Sequence, residues 1–448
     1  MDSSSHPFIK HPHRTLIGLS LPVLLSLTAE PITALVDTAF ISSLGVVPLA
    51  ALGVGTTALS SLFWMFNFLG VGTQTEIAQA FGRGESKGVK KTLSLALLLA
   101  LLFGILIILL IGPSASWLAG LLGAADAVRS NAAIYMRIRV FGAPAVLLTL
   151  VSFGALRGQQ DMKSPLWVAL GVNLLNLILD WLLIFGRGPF PPLGVAGSAL
   201  ASTASQWLGA LASIVLASRK LGLTRDITLG EAGSLLTIGG DMFVRTGLLN
   251  LFLAYTTRAA NTIGADAGAA HQVIRQMWVF TALALDAFAA AVQSLVGYFI
   301  GQGSVRLARK VTRTSLSWSI GTGVLLGAVM WFGRNWVARA MVPAASFDVF
   351  LGAWLVSALC QPINALSFLS DGVHWGTGDF RFLRNVMVLA SGIGIIGLWF
   401  LESSSAATLA WIWILIGIWN FTRGVFGILR IWPGIGHSIF RENEGIGD

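Results

Sequence analysis

Cysteine is almost absent from this 448-residue chain: Cys360 stands alone, in an apolar run, which excludes a disulfide framework and any thiolate metal cluster. Charge is scarce too, at 11% of residues, and only three tyrosines occur. Neither HExxH nor a P-loop is found, so the zinc-hydrolase and nucleotide-binding signatures are missing. Gly376-Thr-Gly378-Asp379 fits the GxGD pattern of intramembrane aspartyl proteases, but those enzymes need a Tyr-Asp partner. None of Tyr135, Tyr255 and Tyr298 precedes an Asp, so the chain is not expected to be an enzyme.

What fills the sequence instead is apolar: 55% of residues are hydrophobic and the mean hydropathy is +0.78. Runs long enough to cross a bilayer recur throughout, which makes this an all-α polytopic membrane protein with lipid as its main partner. Breaks at Gly, Pro and charge predict twelve spans, near residues 15–43, 49–80, 92–113, 131–156, 165–186, 193–218, 233–259, 268–300, 311–333, 349–375, 385–401 and 406–430. The net charge of +9 comes from basic residues dispersed through short loops, not gathered on one face as nucleic-acid binding requires.

Those loops alternate. Lys10 and Arg14, Lys87 to Lys91, Arg157 and Lys163, Arg219 to Arg225, Arg306 to Arg313, Arg381 and Arg384, and Arg430 fall on one side, while Arg129, Arg187, Arg334 and Arg339 are among the few opposite. The positive-inside rule then puts both termini in the cytoplasm, as expected of a multi-pass protein of the cell (inner) membrane. The first apolar stretch is too long for a removable signal peptide and is expected to stay as a span.

The chain also repeats itself. Gln74, Gly82, Gly84 and Lys91 recur 219 residues later as Gln293, Gly301, Gly303 and Lys310, and Gly154, Gly158 and Asp161 recur 218 later as Gly372, Gly376 and Asp379. Two six-span halves of like orientation follow, 1–220 and 232–448 joined by a linker at 221–231, of the kind that rocks around a central cavity.

One position breaks the repeat. Asp37 lies within an apolar span, where a carboxylate costs roughly 2.5–3.5 kcal/mol, yet its counterpart is Thr256. A second acid, Asp180, ends a stripe with Asn173 and Asn176 at spacing i, i+3, i+7, one face of the fifth span. Glu30 lies seven residues before Asp37, with Thr33 between. Two polar faces ending in acids suit a hard cation such as sodium, and a desolvated acid pair suits a proton equally well. Pro22 and Pro31 remove backbone bonds from the same first span and can bend it. Phe63, Trp64, Phe66 and Phe68 offer a face able to stack on flat organic cations.

The run Glu30-Pro31-Ile-Thr-Ala-Leu-Val-Asp37-Thr-Ala-Phe, with Leu44-Gly45-Val-Val-Pro48 after it, resembles the first-span signature of the multidrug and toxic compound extrusion (MATE) family, most closely its prokaryotic DinF branch. Gly72-Thr-Gln74-Thr, Ala269-Ala-His271-Gln272-Val273, Asp286-Ala-Phe-Ala and Asp371-Gly372 extend the resemblance over nearly the whole chain. It implies a monomeric antiporter that exports small organic, often cationic compounds against H+ or Na+, with no cofactor beyond that ion. It also implies that Asp37, Asn176 and Asp180 bind the ion (as metal ligands if it is sodium) and that Pro22 marks the first-helix bend. The family's hydroxyl ligand falls in Gly197-Ser198-Ala-Leu-Ala-Ser202-Thr203, supplied by Ser202 or Thr203. In the second half, Asp241 and Arg245 at i, i+4 are expected to neutralise one another. His271, Asp286 and Asp371, with Asn173 and Gln74, are candidate cavity residues. A lipid-linked oligosaccharide flippase of the same broader superfold is the alternative reading.

Overall fold

The computed structural model describes residues 6–401 and 408–441, and regular structure among them is entirely helical. After a single turn, Pro7–Lys10, come α1 (Pro12–Ser42), α2 (Val46–Arg83), α3 (Ser86–Leu121), α4 (Asp126–Gly158), α5 (Lys163–Phe185) and α6 (Val195–Leu221). The second half holds α7 (Gly233–Ile263), α8 (Ala265–Gly301), α9 (Val305–Met341), α10 (Ala344–Leu359 with Gln361–Thr377), α11 (Phe380–Trp399) and α12 (Thr408–Ile431). Ten of these are long and apolar enough to cross a membrane, and α10 makes an eleventh, bent by 47° at Cys360. The twelfth, α7, spans 31 residues but carries Asp241, Arg245 and Arg258, which dilute its apolar character.

The breaks have a local cause. Within α4 the helix tightens into a 3-10 turn at Val140–Gly142 and resumes at Ala143, just before Pro144; α10 breaks at Cys360, just before Pro362. Proline lacks the N–H that would bond to the residue four back, so each helix yields there. The two prolines lie 218 residues apart, so the same fracture occurs at the same place in each half. In α1, by contrast, the helix runs unbroken through Pro22 and Pro31.

Packing separates two compact units, one of residues 21–239, the other of everything from Gly240 on together with the residues before Leu21. The breaks fall inside α1 and α7, one repeat length (219 residues) apart. Residues 233–239 accordingly belong with the first unit: Ile238 meets Gly72, and Ser234 donates to Glu76 at 2.7 Å. The residues before Leu21 belong with the second, with Phe8 against Phe299 and Trp318 bonded to His13 at 2.9 Å.

Within each unit, backbones approach at matching glycines. A Cβ on Gly154 would strike the carbonyl of Gly70, and one on Gly372 the carbonyl of Ala289. One on Gly158 would lie 2.8 Å from the Gln74 carbonyl, and one on Gly376 2.8 Å from that of Gln293. Gly104 leaves room for Pro144 as Gly323 does for Pro362. Such crossings supply the dispersion and close contact that hold helices together in lipid. On α7 the close approaches are to side chains, Gly239 against Phe68 and Phe252 against Gly394, while Gly18, the one glycine of α1, has nothing within 4 Å.

The loops repeat as well. Asp161 caps α5 by accepting from the Ser164 N–H at 3.0 Å and pairs with Lys220 at 2.5 Å, while Asp379 pairs with Arg430 at 2.8 Å. Burial pushes the Asp161 carboxyl up, but the bonds from Lys220 and Ser164 prevail and hold it below the usual carboxylate range. Folding therefore favours its charged form, and the stabilisation is complete at neutral pH and disappears as pH falls below about 4. Thermal unfolding of the wild type and of Asp161→Asn should differ at pH 7 and converge in acid once Asp161 is protonated in the folded protein, with the wild type losing the advantage. Gly154→Ala and Gly372→Ala should each cost about 1–3 kcal/mol by overpacking. Gly112→Ala in α3, where nothing lies within 4 Å, should be neutral or stabilising in the same thermal-unfolding measurement.

Candidate functional site

In the first unit, α1 and α5 bring Asp37 and Asp180 together, close enough for their carboxyls to interact directly. Asp180 is completely buried, and both its oxygens, with Oδ1 of Asp37, have no hydrogen-bond partner among the described residues. α6 packs on α5 through Gly197, whose missing side chain admits the Leu183 carbonyl, and this brings buried Ser198 beside Asp180. Tyr135 and Arg139, one turn apart on α4, complete the surroundings; Arg139 acts on Asp37 through space while its guanidinium donates to Gln206 at 2.8 Å. The sequence reading missed both. An arginine within a span was the available signal.

Asn176, one turn before Asp180 and buried, directs its amide toward the Ser202 hydroxyl at 3.5 Å. Thr203 turns away, bonding to the Ala199 carbonyl at 2.7 Å and facing Ile138 at 3.4 Å. Of the two hydroxyls considered, Ser202 is the one that faces Asn176. Glu30 is not drawn into this group: it is exposed, whereas Thr33 next to it in the stripe is buried and bonds to the Ala29 carbonyl. Asn173 caps back onto the Ala169 carbonyl at 2.8 Å, and Gln74 lies buried where α2 meets α4. The aromatic face divides: Phe66 and Phe68 pack on Phe103, Phe63 lies under Arg139, and Trp64 is exposed.

The oxygens on offer are two carboxylates, an amide and a hydroxyl. No cluster of three or more His, Cys, Asp or Glu occurs among the described residues, so the set suits a proton or a weakly held hard cation, not a transition metal.

The second unit corrects one expectation. Asp241 and Arg245 do not neutralise one another: Asp241 pairs with Arg384 on α11 at 2.5 Å, and Arg245 with Asp371 on α10 at 2.5 Å. Spacing along a helix allows the pair, but the helix crossings bring other partners closer, Asp371 to Arg245 in a buried setting and Arg384 to Asp241 in a partly exposed one. The same Asp371 oxygen also accepts from Arg423 of α12 at 2.5 Å, a residue the sequence reading did not single out. Arg423 bonds to Asn420 at 2.9 Å and lies 4.4 Å from the Trp419 ring; Arg245 lies 5.4 Å from that of Trp375. Asp286 is within electrostatic range of all three charges. Asp371 is thus engaged by two guanidiniums, and His271 stands apart against Thr257 and Trp413.

Twelve spans built as two repeated six-span units, with a buried acid, Asp180, beside half-buried Asp37 in one of them, define a polytopic membrane transporter. The sequence model of the MatE family matches residues 22–182 and 242–400, once in each half, and the chain belongs to this family of multidrug and toxic compound transporters. Protein DETOXIFICATION 44, chloroplastic, of Arabidopsis thaliana is 30% identical over 96% of this chain and 84% of its own length. DNA damage-inducible protein F of Escherichia coli is 29% identical over 95% and 93%. Among solved structures, the Vibrio cholerae MATE transporter VcmN superimposes with a TM-score of 0.85 at 21% identity, covering 95% of this chain and 97% of that one. A MOP superfamily transporter from Pyrococcus furiosus reaches 0.84, again at 21% identity, over 93% and 94%.

Removing one partner of the buried Asp371 group leaves a guanidinium uncompensated. Asp371→Asn should therefore cost about 3–5 kcal/mol, read as lost thermal stability in detergent, and Asp241→Asn, whose partner Arg384 is partly exposed, should cost clearly less.

Proposed function

We propose that the chain is a secondary antiporter that exports small organic compounds in exchange for protons or sodium ions, coupled at Asp37, Asp180, Asn176 and Ser202. The observation that carries this reading is the buried Asp180 carboxylate, which faces Asp37 with neither oxygen bonded to a protein donor. Two such groups at bilayer depth repel and lack solvation, so a proton or a cation shared between them is strongly favoured. Its arrival and departure change the charge beneath α1. Gly18, the one glycine of that helix, has nothing within 4 Å, and Pro22 lies close to the division between the packing units, so α1 is the element best placed to respond. Alternating access then follows from the two units moving with the charge state of one.

The chain works as a monomer in the cell membrane, with both termini cytoplasmic. The flippase reading is the weaker one: the buried charges of the first unit centre on acids, and curated relatives bear detoxification and multidrug-resistance names.

In proteoliposomes, Asp37→Asn and Asp180→Asn should each reduce gradient-driven efflux of a fluorescent organic cation to the protein-free level, with unchanged size-exclusion profiles. Wild-type efflux from either variant would sink the coupling role. Imposing a sodium gradient at clamped pH, then a pH gradient without sodium, identifies the ion as whichever gradient alone drives transport.

A further inference from the structure

The first turns of α9 carry four cations, Arg306, Arg309, Lys310 and Arg313, at spacing i, i+3, i+4 and i+7. They share one face, where like charges repel, at the helix end whose dipole is already positive. An isolated helix gains nothing from that arrangement. The four line a cavity of about 910 Å3 together with Ile9, Ser304, Leu307, Leu316 and Trp432, and no acidic side chain among the described residues borders it. Arg309 is tied to the Phe440 carbonyl, while Arg306, Lys310 and Arg313 are exposed and make no ion pair among the described residues.

We propose that this cavity binds one anionic phospholipid, its phosphate held by Arg306, Lys310 and Arg313 and the upper part of its chains lying against Ile9, Leu307, Leu316 and Trp432. Charge complementarity selects an anion. The apolar lining selects a lipid over a free ion, because inorganic phosphate has no use for three aliphatic side chains and an indole. A tryptophan beside basic residues at the end of a span is also the composition of a headgroup-level surface. This end of the spans is the basic one, the side on which anionic lipids are attracted to juxtamembrane cations. The occupant would join α9 to the Pro7–Lys10 turn, which carries Ile9 and is otherwise held by Phe8 on Phe299.

The other half provides a control. The counterparts of Arg306 and Arg309 are Lys87 and Lys90, and the Lys90 side chain packs against Gly222.

The test is a titration of the full-length protein in detergent with phosphatidylglycerol, phosphatidylcholine and inorganic phosphate, read by native mass spectrometry and thermal unfolding. Phosphatidylglycerol alone should be retained and raise the unfolding temperature. At roughly fivefold per cation, R306Q/K310Q/R313Q should weaken its binding on the order of 100-fold, and K87Q/K90Q should leave it unchanged. If the triple variant does not fold, Lys310→Gln should still show the fivefold loss. Equal retention of phosphatidylcholine, full stabilisation by inorganic phosphate, or wild-type binding by the foldable variants would overturn the proposal.

Discussion

Every charge kept at bilayer depth has to be compensated, and the two units meet that requirement in opposite ways. In the second, the protein does so itself: Arg245 and Arg423 converge on one oxygen of Asp371, with Asn420 and aromatic faces taking up the rest of the guanidinium surface. In the first, Asp37 and Asp180 are left to each other, with Arg139 engaged by Gln206 at the margin. A unit whose charges are mutually paired needs no further ion to compensate them. A unit whose acids are short of donors has a charge state that something mobile must complete, and that asymmetry is the physical basis for coupling.

The scaffold beneath this asymmetry is nearly symmetric. Gly154 and Gly372, Gly158 and Gly376, Gly104 and Gly323, and Pro144 and Pro362 each do the same thing in each half. Backbone-to-backbone approach at these points leaves little room for adjustment, so the glycine-bearing helices move as blocks. None of these pairs lies on the first helix of either half, and packing divides both α1 and α7 at positions one repeat apart. Asp37 thus lies on a helix that carries none of these crossings and that the packing units divide.

Much of this was legible beforehand. The repeat was visible because glycines and a glutamine needed for close crossings cannot drift, and Asp37 was visible because an acid in an apolar run has no cheap explanation. The fifth-span stripe was legible to one turn: Asn176 and Asp180 are buried together, but Asn173, on the same stripe, bonds to its own backbone. Glu30 shared the register of Asp37 and not its burial, since periodicity gives the face of a helix and not what covers it. The prolines that break α4 and α10 stood in the sequence unread, because the apolar runs continue past them.

The sequence by itself determined the class, the twelve spans, the duplication and the acid that breaks it, all of which follow from composition and from spacing along one helix. Tertiary structure alone decided partnership. It gave Arg245 to Asp371 and not to Asp241, brought in Arg423, and turned Ser202 rather than Thr203 toward Asn176. The reason is physical: in a buried site the strongest interactions are with whichever groups are desolvated alongside, and that neighbour is set by the crossing of helices far apart in sequence.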